Sequence, residues 1–167
     1  MFSLELIPDA ATDAAVRAEW DRLVAADLPS AGRHSGPSNR PYVTLAVRDH
    51  MDAGALQPLA AMMPVPLELG GVLVFGRGDR FVLSRAVVMT RQLLDLHRAA
   101  ASAVGGGNGT YANTEPDRWS PHITLARRLD ANALRRALGV LELSPVSGAA
   151  QALRVWDATE KRVTAIE

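Results

Sequence analysis

The order strand, helix, strand occurs twice along the chain, and this repetition restricts the possible folds more than any other feature. Residues 4–7 and 42–47 have β-like patterns, and the segment between them, residues 12–26, carries apolar side chains at helical spacing. Residues 81–88, 90–104 and 122–126 repeat that order. When Thr44 is aligned with Thr124, the match extends over roughly eighty residues, which indicates a duplication. We therefore expect two approximate repeats, residues 3–80 and 81–167.

Each repeat ends in a further helix and a hairpin. The first continues with a helix at 52–62 and apolar runs at 66–75 and 81–88, which flank Gly76-Arg77-Gly78-Asp79. The second continues with a helix at 130–141 and strands at 149–156 and 163–166. Two copies are too few for a solenoid. The expected fold class is α+β: two lobes with mainly antiparallel sheets flank a central cleft, helices lie outside, and strand exchange between the lobes stays open.

Composition excludes several classes of protein. A chain of 167 residues with 48% hydrophobic residues suits a single domain. It contains no cysteine, so disulfides and a thiol nucleophile are excluded, and we expect a cytoplasmic protein. Eighteen basic residues balance eighteen acidic ones, which argues against duplex DNA as a partner. No run suggests a signal peptide or membrane span, no metal or cofactor motif is recognisable, and we expect a monomer.

The segment Pro121-His122-Ile123-Thr124-Leu125 carries the clearest chemical signal. Residues i and i+2 of a strand share one face, so His122 and Thr124 are expected to point the same way. Imidazole exchanges a proton near neutral pH, and a hydroxyl beside it can bond a phosphoryl oxygen. This pair predicts half of an anion-handling site.

The repeat places Tyr42 and Thr44 at the equivalent positions, so both pairs are expected to face one cleft. The same alternation puts Arg48 and Arg128 on the cleft face, where they would bracket a phosphate; the alternative is that each extends from a strand end into solvent. The residues expected to contact substrate are Arg127, Arg128, Arg48, Arg40 and His34.

These motifs resemble those of the 2H phosphoesterases, the family of 2′-5′ RNA ligase-like proteins and RNA cyclic phosphodiesterases, whose signature is one His-x-Thr/Ser motif in each of two lobes. Residues 118–127 look like the complete second motif, and residues 39–46 look like the first with its histidine replaced by Tyr42. The resemblance implies that His122 transfers a proton and that Thr124 and Thr44 hold the phosphate of a nucleotide or RNA-end phosphodiester, either 2′,3′-cyclic or 2′-5′.

The tyrosine departs from the family pattern in a way that matters for catalysis. A phenol with a pKa near ~10 is protonated at pH 7 and is a poor base. Two function classes stay open: a weakened cyclic phosphodiesterase or 2′-5′ RNA ligase-like hydrolase, and a nucleotide or RNA-end binding protein without turnover. A third reading is an interaction domain in which both motif strands serve only packing. His34, eight residues before Tyr42, either supplies the missing imidazole or is an exposed loop residue.

Loops rich in Gly, Pro and Ser precede both motif strands, and we expect them to border the cleft. The second, which contains Gly105-Gly106-Gly107-Asn108-Gly109, lacks the ending of a phosphate-binding loop. Near it, Tyr111 and Trp119 either stack a nucleobase or anchor the loop.

Overall fold

The computed structural model of the chain describes residues 1–107 and 109–167, and of Arg77 the main chain only. Asn108, in the glycine-rich segment expected to border the cleft, lies outside the described residues. The elements are β1 (Phe2–Pro8), α1 (Ala10–Ala25), β2 (Val43–Arg48), α2 (Ala53–Leu56), β3 (Val65–Arg77), β4 (Arg80–Val87), α3 (Arg91–Val104), β5 (His122–Leu129), α4 (Ala131–Val140), β6 (Val146–Asp157) and β7 (Arg162–Ile166). Short 3-10 helices cover Ala31–Arg33, Gln57–Met62 and Gly109–Thr114.

Side-chain caps explain where the helices begin. Asp9, Asp52, Thr90 and Asp130 each accept a hydrogen bond from a main-chain N–H in the first turn of α1, α2, α3 and α4. The aligned aspartates Asp52 and Asp130 are both caps, as expected of equivalent positions in a duplication. Helical structure at 52–62 is split into a short α-helix and a 3-10 helix because Pro58 has no N–H to continue the α-helical bonds.

The strands form one seven-stranded sheet in which every pairing is antiparallel. The path runs β2-β1-β6-β3-β4-β5, so the two motif strands β2 and β5 lie at its ends. β6 pairs with β1 along one edge and with β3 and then β7 along the other. The end strands β2 and β5 approach each other without pairing. This open, curved sheet creates the cleft between the two motifs.

Each long helix packs mainly on strands of the other repeat. α1 lies against β5 and β6, and α3 lies against β2 and β3. Their apolar faces bury Val16, Trp20 and Leu23 from α1 and Leu93 and Leu96 from α3. The helices therefore cover one side of the sheet, as expected, and no helix among the described residues is long and apolar enough to cross a membrane.

A buried ion pair joins α1 to the second half of the sheet. The guanidinium of Arg85, fully buried on β4, donates to the carboxylate of Glu19 and to the main-chain oxygens of Gly70 (2.7 Å) and Ser144 (2.8 Å). Burial raises the pKa of Glu19, and the charge of Arg85 opposes that shift. The arginine therefore bonds one carboxylate oxygen and two main-chain oxygens at once.

Replacing Arg85 with leucine should lower the free energy of unfolding by about 3–5 kcal/mol, because it leaves a buried carboxylate without its partner. Urea unfolding of both proteins measures the difference. The matched control is Arg98→Ala, which removes the exposed pair with Asp95 (3.4 Å) and should cost less than about 0.5 kcal/mol. Equal losses in the two variants would contradict this account of the pair.

Candidate active site

Both motif strands contain a β-bulge immediately after the motif threonine. On β2, Thr44 pairs with Glu5, while Ala46 pairs with the adjacent Leu4, which leaves Leu45 as an extra residue. On β5, Thr124 pairs with Ser84 and Ala126 with Leu83, so Leu125 is the extra residue there. The same irregularity at aligned positions supports the alignment of the two motifs.

The bulges change which side chains face the cleft. An extra residue shifts the alternation by one, so the residue three positions after each threonine shares its face. Strict alternation predicted Arg48 and Arg128 there; instead the positions belong to Val47 and Arg127. Nη2 of Arg127 lies 3.3 Å from Oγ1 of Thr124. The prediction that Arg48 faces the cleft is therefore wrong, whereas Arg128 still lines it.

Arg48 is 5% exposed and does not reach the cleft. Its guanidinium donates to the oxygen of Gly105 from Nε (3.0 Å) and Nη2 (2.8 Å). It also donates to Thr114 Oγ1 (3.2 Å) and to Glu115 Oε1 (2.8 Å), while Gly107 N donates to the same carboxylate (3.0 Å). The side chain therefore fastens the glycine-rich loop to the end of β2.

A depression beside Tyr42 and Thr124, here called the central cleft, has a volume of about 340 Å³. Six predicted site residues line it, and none of its described lining residues is acidic. Arg128 reaches it because β5 is irregular a second time, with a φ of 60° at that residue. The six are Tyr42, Thr124, Arg127, Arg128, Arg40 and His34.

The other two predicted residues, His122 and Thr44, are not among the residues that line the central cleft. His122 precedes Thr124 by two residues in an uninterrupted stretch of register, so both side chains project from one face. Thr44 stands in the same relation to Tyr42, and its side chain is partly exposed. Among the described residues, no group of three or more His, Asp or Glu side chains is placed to hold a metal ion.

His122 is prepared to accept a proton. Its Nδ1 lies 2.7 Å from the main-chain oxygen of Ser120. Because a carbonyl oxygen only accepts hydrogen bonds, we assign the proton to Nδ1, which leaves the lone pair of Nε2 available. Burial lowers the pKa of His122, the positive charge of Arg127 lowers it further, and the bond to Ser120 opposes both. The imidazole is therefore neutral at pH 7.

Tyr42 is prepared to donate a proton or a hydrogen bond. Burial raises the pKa of its hydroxyl, and the nearby carboxylate of Glu5 adds to the rise. The positive charges of Arg127 and Arg154 oppose that shift. The guanidinium carbon of Arg154 lies 5.8 Å from the centre of the ring. The phenol is therefore neutral at pH 7.

A buried ion pair lies beneath Tyr42, and sequence reasoning missed it. Arg154 Nε donates to Glu5 Oε2 (2.7 Å), and Ser3 Oγ donates to the other carboxylate oxygen (2.8 Å). Thr44, Glu5 and Arg154 are direct cross-strand neighbours on β2, β1 and β6. The available signal was a single charged residue within each of the apolar runs Leu4-Glu5-Leu6 and Leu153-Arg154-Val155.

Two tryptophans donate hydrogen bonds to the main chain of the motif strands, and sequence reasoning did not anticipate this role for either. Nε1 of Trp20 donates to the main-chain oxygen of Thr124 (3.0 Å), and Nε1 of Trp119 donates to that of Thr44 (2.8 Å). β2 and β5 are end strands, so these oxygens have no neighbouring strand to bond. Each indole satisfies the oxygen of one motif threonine.

The aromatic residues near the glycine-rich loop are anchors. Trp119 stacks on the buried ring of His97, with ring centres 3.9 Å apart and an interplanar angle of 3°. Nε2 of His97 lies 3.0 Å from the oxygen of Thr114, and burial lowers its pKa. Tyr111 donates its hydroxyl proton to Asp49 Oδ1 (2.7 Å). The loop-anchoring alternative therefore accounts for both aromatic side chains.

Comparison with known families agrees with this geometry. The family model of the 2′-5′ RNA ligase superfamily matches residues 12–162, which is most of the chain. The chain belongs to the 2′-5′ RNA ligase superfamily. The resemblance to the 2H phosphoesterases is thereby confirmed, and so is the α+β fold of antiparallel strands with outer helices.

Several proteins of known structure have the same fold as this chain, although their sequence identity to it is low. TT0787 of Thermus thermophilus has a TM-score of 0.62 and 16% identity, with 99% of this chain and 94% of that chain covered. E. coli LigT in apo form has a TM-score of 0.56 and 18% identity over the same shares of the two chains. LigT complexed with 3′-AMP gives 0.55 and 16%, again covering 99% and 94%. No curated protein sequence matches significantly.

The charge of Arg127 should be measurable in the titration of His122. NMR titration should place the pKa of His122 below its ordinary value of about 6.5, and Arg127→Gln should move it upwards because a repelling charge is removed. Arg128→Gln is the matched control and should leave this pKa in place. An unchanged pKa in Arg127→Gln would show that the two side chains do not face each other.

Proposed function

We propose that this protein handles 2′,3′-cyclic or 2′-5′ phosphodiesters of nucleotides or RNA ends, and that Tyr42 weakens its catalysis. The observation that carries the proposal is the combination of a neutral imidazole, a neutral phenol and a threonine-bound arginine around a cleft without acidic residues in its described lining. Membership of the 2′-5′ RNA ligase superfamily supports it, as does the complex of LigT, a protein of the same fold, with 3′-AMP.

In this proposal His122 acts as the general base. Its Nε2 takes a proton from a water molecule as the water oxygen forms a bond to phosphorus. The lowered pKa keeps the imidazole neutral at pH 7, and the bond to Ser120 fixes the tautomer that leaves Nε2 free. The same hydrogen bond to the main-chain oxygen of Ser120 that fixes the tautomer therefore also orients Nε2 towards the attacking water.

Tyr42 faces the oxygen that leaves phosphorus. As the P–O bond to that ribose oxygen breaks, the phenol donates a hydrogen bond or its proton, which solvent later restores. The raised pKa makes the phenol a weaker acid than a protonated imidazole at this position. This is the physical reason to expect slower turnover than two histidines would give.

Threonines and arginines hold the phosphoryl oxygens. The hydroxyls of Thr44 and Thr124 donate hydrogen bonds, and Arg127, already bonded to Thr124 Oγ1, stabilises the negative charge that develops during attack. Arg40 lines the same cleft but is also 3.5 Å from Asp13, so its charge is partly balanced. Arg127 is therefore the arginine that we assign to the transition state.

The alternative is a binding protein that uses the same cleft without turnover. The raised pKa of Tyr42 favours it, since a phenol held neutral by burial binds a phosphate oxygen well and transfers protons poorly. His34 bears on the choice because it is an exposed residue in the lining of the central cleft. If the protein is an enzyme, the loop that contains His34 would bring its imidazole towards the phosphate of the substrate.

Hydrolysis of nucleoside 2′,3′-cyclic phosphates should fall about 10²–10⁴-fold in His122→Ala, because a positioned acid or base contributes that much to the rate. Product formation followed by chromatography measures it. His50→Ala, an exposed histidine outside the central cleft, is the matched control and should retain full activity. Equal activity in wild type and His122→Ala would overturn the enzyme form.

Tyr42→His should raise turnover, most strongly below about pH 6.5, where an imidazole carries the proton that it must donate. Tyr42→Phe is the matched control and should lower turnover, since it removes the hydroxyl and keeps the ring. Calorimetric titration with 3′-AMP separates binding from chemistry in each variant. Unchanged binding and unchanged turnover in both variants would show that Tyr42 does not share a site with His122.

A further inference from the structure

A second depression, here called the phenylalanine groove, adjoins the central cleft. It has a volume of about 310 Å³ and is lined by Phe75, Gly76, Arg80, Phe81, Val82, Arg127 and Arg128. The last two residues also line the central cleft, so the two depressions meet at the end of β5. A ligand that occupies both would pass over these two arginines.

The floor of the phenylalanine groove is aromatic and begins beside the proton-transfer residue. The ring of Phe75 lies 4.7 Å from that of His122, measured between centres, and the side chain is 38% exposed. Phe81 packs over Gly76, where a β-carbon would approach the ring to 3.3 Å. Gly76 and Phe81 are cross-strand partners, so the Phe81 ring borders the groove from the face of the β3–β4 hairpin opposite to Phe75.

The rim of the groove is positively charged. Arg80, Arg127 and Arg128 contribute three guanidinium groups, and none of the described lining residues is acidic. Arg80 has an acidic neighbour in Asp79, at 3.8 Å on the exposed turn. Exposed aromatic rings beside arginines are the combination with which proteins bind single-stranded nucleic acid, because bases stack on the rings and phosphates contact the cations.

We propose that the phenylalanine groove is a second nucleotide subsite, which makes a single-stranded RNA end the preferred substrate over a mononucleotide. The proposal rests on the proposed function of the central cleft. The terminal nucleotide lies in the central cleft with its phosphodiester beside His122. The base of its 5′ neighbour stacks on Phe75, and the phosphate that joins the two nucleotides contacts Arg128.

The subsite is tested by a ratio of two substrates. We compare kcat/KM for adenylyl-uridine 2′,3′-cyclic phosphate with that for uridine 2′,3′-cyclic phosphate; where turnover is absent, the ratio of Kd values replaces it. Because stacking of one base contributes roughly 5- to 100-fold in affinity, wild type should prefer the dinucleotide by about that factor. The ratio cancels any general effect of a substitution on His122.

Phe75→Ala should bring that preference close to one. Val74→Ala is the matched control, since Val74 is 44% exposed on the opposite face of the same strand and should leave the preference intact. Arg80→Gln, at an exposed site that should not affect folding, should reduce the preference and weaken its dependence on salt.

The outcomes separate the two proposals. A wild-type protein that handles both substrates equally, or a Phe75→Ala variant that keeps the preference, overturns the subsite and leaves the proposed function standing. If neither substrate is bound or hydrolysed, the proposed function fails and the subsite fails with it. A preference that Phe75→Ala removes and Val74→Ala retains supports the subsite.

Discussion

Pairing of β6 with three other strands is the interaction on which the rest of the structure depends. Its first residues pair with β3 and its last residues pair with β7, while β1 runs along its opposite edge. The first motif strand, β2, pairs with β1, and the second, β5, is connected to β6 through β3 and β4. The distance between the two motifs is therefore set by a strand that belongs to neither of them.

Within that frame, the two bulges determine which side chains face the central cleft. Each bulge places two successive apolar residues against the core. A shift of the strand register by one residue would expose one of these two side chains to solvent, so their burial favours the observed register. The indoles of Trp20 and Trp119 bond the oxygens of Thr124 and Thr44. The buried residues, the two bulges and the two indole hydrogen bonds therefore all favour the same orientation of the threonine side chains.

A chain without net charge nevertheless has a cleft suited to an anion. Three arginines are used inside the protein: Arg85 with Glu19, Arg154 with Glu5, and Arg48 with Glu115. These pairs neutralise three carboxylates away from the cleft, and Arg127 and Arg128 on β5 line it. Local pairing, not total charge, determines the electrostatics of the site.

The sequence by itself determined the fold class, because the order of strands and helices follows from local periodicity along the chain. It also predicted that His122 and Tyr42 are equivalent, and aligned caps at Asp52 and Asp130 agree with that register. Local pattern was sufficient because each of these features depends on residues close together in sequence.

Only the tertiary structure decided that Arg127 lies with Thr124, and that Arg48 does not reach the central cleft. A bulge arises from the register with a partner strand, and the partners of β2 and β5 are about forty residues away in sequence, so alternation along one strand cannot reveal it. The same reason explains why Glu5 and Arg154 were missed: the pair joins the first and the penultimate strand. The bulges and the ion pair both depend on contacts between segments that are distant in sequence. The sequence of one segment does not show which other segment it will contact.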